Sequence, residues 1–171
     1  MKVLLINGSP HKEGNTAFAL EQMTAVFAEA GVETEILQVG SECIRGCIGC
    51  GSCYKTRRCV FDDLVNETAA RLNEFDGIVV GSPVYYASAN ATLVAFLTRL
   101  FHSTYFDKRM KVGASVAVAR RGGCSATFDQ LNKYFLINQM PIISGRYWNM
   151  VHGSTPEQVQ QDLEGMQNMR I

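Results

Sequence analysis

Short apolar runs alternate along the chain with longer segments whose apolar residues recur every three or four positions. The first run, 2–6, is followed by the turn residues Asn7-Gly8-Ser9-Pro10 and predicts a buried strand. From Asn15 to Ala30 the apolar spacing is helical, and Gly31 follows as a C-terminal stop. Alternation of apolar and polar residues over 32–39 predicts a second strand.

The rest of the chain continues this alternation of strands and helices. Asp62-Asp63 is placed to cap a helix that runs to about Leu72, because carboxylates suit the free N–H groups at a helix start. Beyond it, the pattern predicts strands over 77–81, 112–119 and 141–143, helices over 89–101 and 125–139, and a last helix from Thr155 onward. Apolar strands separated by helices indicate a parallel sheet covered on both faces. We expect one domain over 1–171, since no repeat or linker divides the chain.

Composition narrows the class of protein. With 47% apolar and 19% charged residues, and no run near the ~20 apolar residues of a membrane span, the pattern is typical of a water-soluble globular domain. Sixteen basic and sixteen acidic residues cancel, which argues against nucleic acid as a partner. Because the opening apolar run is shorter than the about 7–15 residues of a secretory signal, we expect the protein in the cytoplasm.

The loop after the first predicted strand has the chemistry of a phosphate site. In Gly8–Thr16, glycines, hydroxyl side chains and the free N–H groups of a helix start can all donate to an anion. An ordinary turn capped by Asn15 is the alternative. The loop has neither the Gly-Lys-Ser/Thr of a triphosphate site nor the G-x-G-x-x-G of a dinucleotide fold, so a single phosphate is the expected ligand.

Two further loops follow predicted strands, at the sheet edge where ligands of such folds bind. Gly81–Asn90 places a proline and two tyrosines after a buried strand, which favours stacking of a planar cofactor; core aromatics beside a turn are the alternative. In Ala119–Gly123, the glycines permit close approach of the backbone to a ligand, with two arginines nearby. Solvated arginines are the simpler interpretation of that loop taken alone.

Five of the six cysteines fall between positions 43 and 59, within one loop. Four of them have the spacing Cys-x2-Cys-x2-Cys-x5-Cys, and these are Cys47, Cys50, Cys53 and Cys59. In a reducing compartment such clustering favours metal or redox chemistry over structural disulfides. Thiolates three residues apart can turn inward on one tight loop, and four complete the shell of a cubane iron-sulfur cluster. Zinc, whose thiolates usually come as two separated pairs, and free or redox-exchanging thiols are the alternatives.

Taken together, the sequence resembles the flavodoxin-like family of NAD(P)H-dependent FMN reductases, and within it the branch called iron-sulfur flavoproteins. The resemblance covers nearly the whole chain. It is carried by Gly8-Ser9-Pro10 with Gly14-Asn15-Thr16, the cysteine loop, Gly81–Tyr86, and Arg121-Gly122-Gly123. It implies a three-layer α/β/α sandwich with about five parallel strands in the order 2-1-3-4-5, and FMN at their carboxyl ends.

The resemblance also implies roles for individual residues. The FMN phosphate would be held by Ser9, Asn15 and Thr16. The isoalloxazine ring would be supported by Pro83, Val84, Tyr85 and Tyr86, with a third contact at Gly122 and Gly123. The ligands of a 4Fe-4S cluster would be Cys47, Cys50, Cys53 and Cys59. Cys43 is then a spare thiol, and Cys124 is either a buried structural thiol or one near the flavin.

Two main functions follow from this pattern, and neither requires a side chain as nucleophile. In an electron-transfer flavoprotein, a ferredoxin-like or small-molecule donor reduces the cluster, the cluster reduces FMN, and FMN reduces an acceptor. In a cluster-free reductase, NAD(P)H reduces FMN directly, for a flavin or quinone acceptor. A flavin-free scaffold that binds a partner is a third interpretation. We expect a homodimer or homotetramer, because a small chain does not bury the apolar surface of a long loop by itself.

Overall fold

Strands and helices alternate in the computed structural model, which describes all 171 residues. The strands are β1 (Lys2–Asn7), β2 (Glu33–Gln38), β3 (Gly77–Tyr85), β4 (Ser88–Ala89), β5 (Val112–Ala119) and β6 (Met150–His152). The helices are α1 (Asn15–Glu29), α2 (Ser52–Thr56), α3 (Leu64–Arg71), α4 (Ala91–Ser103), α5 (Cys124–Ile137), α6 (Pro156–Gln161) and α7 (Leu163–Met169), with a 3-10 turn at Leu72–Glu74. None of these helices is long and apolar enough to cross a membrane.

Five strands form a parallel sheet in the order β2-β1-β3-β5-β6. The two-residue β4 pairs antiparallel with the end of β3 and lies off this path. When β4 is left aside, the order is the predicted 2-1-3-4-5. Crossover helices between parallel neighbours cover both faces, so the central strands are buried along nearly their whole length.

Alternate side chains of β1 enter two separate cores. Leu4 and Ile6 pack with apolar residues of α3, α4 and α5 on one face. Val3 and Leu5 pack with residues of α1, α6 and α7 on the other. Because successive strand residues point to opposite faces, this arrangement confirms the three-layer α/β/α sandwich.

The end of the chain differs from the pattern-based prediction. The fifth parallel strand is 150–152 rather than 141–143. Segment 141–143 makes a single bridge to the start of β5, where the Gly113 amide donates to the Pro141 carbonyl at 2.8 Å. The edge of the sheet is therefore shared by two short segments, 141–143 and 150–152. The apolar pattern of the sequence predicts a strand only at 141–143. The last helix also divides, because the Asp162 side chain accepts from the Gly165 amide (3.0 Å) and starts α7.

Candidate functional site

A cavity of about 830 Å³ opens at the carboxyl ends of β1, β3 and β5. Its wall consists of 9–16 after β1, 83–85 at the end of β3, 118–120 at the end of β5, and 153–156 after β6. The volume lies within the ~300–1,000 Å³ of pockets that bury a cofactor-sized molecule. The position is the edge of an open parallel sheet where ligands bind.

The first wall, 9–16, can receive an anion. Ser9 is buried, and its hydroxyl accepts from the His11 amide at 3.2 Å. Gly14, not Asn15, occupies the N-cap of α1, and no side chain caps this helix. The N–H groups of its first turn therefore remain available to a negative group. The Asn15 amide instead donates to the Gly153 carbonyl at 2.8 Å and ties this loop to the wall after β6.

Residues at the end of β2 and just after it support the same loop from outside the cavity. The Gln38 side-chain amide donates to the Ser9 carbonyl at 2.6 Å. A Cβ on Gly40 would lie 2.3 Å from the carbonyl oxygens of Gly8 and Ser9, so only glycine permits this approach. Together these contacts fix the course of the loop before any ligand binds.

The second wall is a hairpin rather than a free loop. β3 continues through Pro83, Val84 and Tyr85, all three of which line the cavity. Tyr86 and Ala87 then form the turn with φ of 52° and 58°, the left-handed pair of a type I′ turn. The Tyr86 side chain is fully exposed and lies outside the cavity wall.

The glycines of the third loop do not line the cavity, and Gly123 packs against the hairpin. Gly123 has φ of +93°, and a Cβ there would lie 2.9 Å from both Ala87 Cα and Val84 Cγ1. The absence of a side chain at Gly123 therefore permits the close approach of α5 to the hairpin. Gly122 has open space beside it, and the wall at this point is formed by Ala119 and Arg120.

Cys124, the first residue of α5, is buried and lies outside the cavity wall. Burial, with a smaller contribution from the charge of Asp162, raises the pKa of this thiol to about 11. The thiol is therefore protonated near neutral pH and packs with Ala117, Ala119 and Phe128. These surroundings favour the interpretation of Cys124 as a buried structural thiol over its interpretation as a thiol near the flavin.

The four cysteines of the spaced motif line a second cavity, of about 120 Å³. Cys47 and Cys50 are exposed, Cys53 and Cys59 are half-buried, and Cys43 is exposed and outside this wall. Short helix α2 begins within the motif, after a left-handed Gly51. No group of three or more Cys, His, Asp or Glu side chains converges as the ligands of one metal ion would.

The last turns of α4 close the opposite side of this cysteine cavity. Arg99 Nε donates to Cys59 Sγ at 3.2 Å, and the Tyr54 hydroxyl lies 2.9 Å from His102 Nε2. The Ser103 hydroxyl is buried and has no hydrogen-bond partner. Burial, with the neighbouring Cys53, raises the pKa of nearby Tyr105 to about 12, so this phenol is protonated.

Helix α4 runs from the hairpin toward the cysteine cavity. Its N-cap, Asn90, follows the hairpin of the larger cavity, and its last residue, Ser103, lines the cysteine cavity. Thirteen helical residues at 1.5 Å each give a length of about 20 Å. Within one chain, the cysteine cavity therefore lies at the end of this helix that is remote from the hairpin.

Two parts of these walls were not predicted from the sequence. The wall 153–156 was not predicted because the last strand was placed at 141–143. Residues 153–156 were therefore not recognised as the loop that follows the last strand. Arg99, His102 and Ser103 were missed because they lie about 40 residues from the nearest motif cysteine, and helical spacing alone does not show which loop covers a helix end.

Comparison with known proteins identifies the class. The family model for NADPH-dependent FMN reductase matches residues 1–155, and the chain belongs to this family of FMN-dependent oxidoreductases. An iron-sulfur flavoprotein of Methanocaldococcus jannaschii is 34% identical over 178 residues, which cover 99% of this chain and 92% of that protein. An iron-sulfur flavoprotein of Methanosarcina thermophila is 31% identical over 173 residues, covering 99% and 90%. These relatives place the chain in the iron-sulfur flavoprotein branch, as the sequence motifs predicted.

Solved structures confirm the fold. A flavodoxin from the domain Archaea superposes with a TM-score of 0.62 at 16% identity, covering 99% of this chain and 96% of that one. The flavodoxin-like architecture expected from the sequence is therefore present.

Proposed function

We propose that this protein passes electrons between a 4Fe-4S cluster on Cys47, Cys50, Cys53 and Cys59 and an FMN in the larger cavity. The proposal is carried by one observation: all four motif cysteines line a single cavity, whereas the fifth cysteine of the loop, Cys43, does not. FMN exchanges electrons singly or in pairs and a cluster exchanges them singly, so the pair suits exchange between one-electron and two-electron partners.

The larger cavity fits FMN at both ends of that molecule. At the phosphate end, the uncapped start of α1 and the side chains of Ser9, Asn15 and Thr16 would supply donors. At the ring end, Pro83, Val84 and Tyr85 offer a partly apolar wall. Tyr86, Gly122 and Gly123, which the family resemblance also implied, flank this wall without lining it. In our proposal Gly123 acts by letting the hairpin approach, and Arg120, one of the two arginines that the sequence places in the third loop, adds a positive charge to the wall.

The cysteine cavity fits a cluster in donor chemistry and in charge. Each thiolate of a cubane binds a different iron, so four cysteines surround the group instead of converging on one ion. Residues 43–59 contain Arg45, Lys55, Arg57 and Arg58 and no acidic residue, which offsets the charge of four thiolates. The buried Ser103 hydroxyl, which lacks a partner, would gain an acceptor in a cluster sulfur.

The visible spectrum and metal content of the anaerobically purified protein test this function. We expect flavin bands over a broad visible absorption, with iron and acid-labile sulfide in equal amounts. Extraction should release FMN and neither FAD nor NAD, because the first loop offers a cradle for one phosphate. Cys43→Ala is the matched control, since it removes a loop thiol outside the cavity and should leave iron and sulfide unchanged. Flavin without iron or sulfide, together with rapid reduction by NAD(P)H, would instead support a cluster-free reductase.

We also propose that the protein is a homodimer or homotetramer in which one subunit's cluster approaches a neighbour's FMN. The two cavities of one chain share no wall residue, and the cysteine cavity lies along the last turns of α4, so we propose a neighbour's FMN as the partner of each cluster. Exposed Ile48, Tyr54 and Val60 beside the cysteine cavity offer apolar surface to a second copy. Sedimentation at micromolar concentration should show the oligomer. A monomer that binds FMN and still transfers electrons from cluster to flavin would contradict it.

A further inference from the structure

Arg99 is the largest fully buried side chain of the protein, with 1% of its surface exposed. It lies on the last turns of α4, and the cysteine loop covers it. Arginine is almost never fully buried unless its charge is paired and its donors are satisfied. Each N–H donor of a buried arginine is therefore expected to have an acceptor within the protein.

All five N–H donors of the Arg99 guanidinium are used. Two bind the carboxylate of Asp63, one from each terminal nitrogen, at 2.7 and 2.9 Å. A third donates to the Arg45 carbonyl and a fourth to the Phe61 carbonyl, each at 3.1 Å. The Nε–H donates to Cys59 Sγ at 3.2 Å. Asp63 thereby balances the buried charge and also caps α3.

These partners bracket the cysteine motif in the sequence. Arg45 precedes its first cysteine, Cys47, and Phe61 follows its last, Cys59. One planar side chain on a rigid helix therefore fixes the entry and the exit of the loop, and it contacts one motif thiol directly. The guanidinium has the five fixed donors that this task needs, whereas a lysine has a single flexible ammonium.

We propose that Arg99 is the positioning residue of the cysteine loop, which fixes both of its ends and donates to the Cys59 thiolate so that the loop can hold a cluster. This inference rests on the cluster in the proposed function. Hydrogen bonds to a ligating sulfur raise the reduction potential of an iron-sulfur centre, and partners of metal ligands also set affinity. Arg99 therefore acts on both the retention and the potential of the cluster.

Arg99→Lys tests the proposal, with Arg71→Lys as its control. Arg71 is also a helical arginine paired with a carboxylate, that of Glu35, but it lies outside the cysteine cavity. Both variants are prepared anaerobically and compared in iron content, in iron loss to a chelator and in midpoint potential. We expect Arg99→Lys to bind iron about 10- to 100-fold more weakly, the size of effect seen when a partner of a metal ligand is lost. Its residual cluster should have a more negative potential, and FMN content should not change.

A second variant covers the case in which Arg99→Lys fails to fold. Arg99→Met combined with Asp63→Asn removes both charges of the buried pair, and asparagine can still cap α3. This double variant should fold and bind FMN but retain no cluster. Normal iron content and potential in either folded Arg99 variant would overturn the role of Arg99 and leave the proposed function intact.

Hydrogen exchange separates failure of this inference from failure of the proposed function. If the parent itself contains no iron or sulfide, the proposed function fails. The iron-free proteins then test the positioning role alone, through exchange of the amides between 45 and 61. Faster exchange there in Arg99→Lys than in Arg71→Lys supports that role, and equal exchange contradicts it.

Discussion

Replacing Cys53 by alanine is expected to remove the cluster, leave FMN bound, and slow reduction by one-electron donors by orders of magnitude. Cys53 is half-buried in the wall of the cysteine cavity, and alanine cannot replace its thiolate as a ligand. The larger cavity, in which we propose that FMN binds, shares no wall residue with the cysteine cavity, so flavin binding should not change. Rapid-mixing measurements with reduced ferredoxin, together with iron and flavin content, check all three expectations.

Hydride transfer provides the internal comparison for this variant. Any direct reduction by NAD(P)H requires only an accessible flavin face, so its rate should change little in Cys53→Ala. The matched variant Cys43→Ala removes a thiol from the same loop but outside the cavity, and it should behave as the parent in every assay. If Cys53→Ala kept its FMN and accepted one-electron donors as fast as the parent, the cluster would not lie on the electron path.

The sheet could be predicted from the sequence because its signals are local. The strands β1, β3 and β5 are short apolar runs followed by turn residues, and burial on both faces makes such runs stand out. Asp63 was expected to cap a helix, and its carboxylate accepts from the Val65 amide at 3.1 Å. In each case, the residues that decide the structure are neighbours in the chain.

The edge of the sheet could not be predicted in the same way. Segments 141–143 and 150–152 both meet β5, one near its start and one at its end, and which of them forms the strand depends on the course of the chain between them. An edge strand of three residues is too short to show a recognisable pattern of apolar and polar residues. The error extended to the site, since the wall 153–156 directly follows the strand that was missed.

Contacts between residues far apart in the chain could likewise not be predicted from the sequence pattern. Arg99 lies on a helix 40 residues from Cys59, and a single arginine at helical spacing usually indicates a solvated face. Only the packed structure shows that the cysteine loop covers it. The Tyr86–Ala87 turn is similar, because neither residue is the glycine or asparagine that normally marks a left-handed turn. In this case, contacts of the hairpin with Gln130 hold the turn in place.

Replacing Asn15 by aspartate is expected to weaken FMN binding more than replacing it by alanine. Both variants lose the bond from the Asn15 amide to the Gly153 carbonyl, and only aspartate adds a charge. Riboflavin, which has no phosphate, controls for any effect of the carboxylate on the Gly153 wall. Two unit charges about 4 Å apart repel by about 4 kcal/mol at an effective dielectric constant near 20, roughly a thousandfold in Kd, and this is the largest effect expected of a carboxylate in contact with the proposed phosphate. The negative charge of aspartate in the first turn of α1 interacts favourably with the helix dipole and stabilises the helix. Loss of FMN would therefore not result from unfolding of α1.

Titration of the apoprotein with FMN and with riboflavin measures this effect directly, through quenching of flavin fluorescence. Riboflavin has the same ring system without the phosphate, so the aspartate and alanine variants should bind it equally. For FMN, the aspartate variant should bind more weakly, and the gap should narrow as salt rises because part of the repulsion is screened. Equal FMN affinity in the two variants, or an equal gap for riboflavin, would place the phosphate away from the start of α1. The ligand would then have to enter the cavity in another orientation, with the walls at 118–120 and 153–156 as the remaining sources of donors to its phosphate.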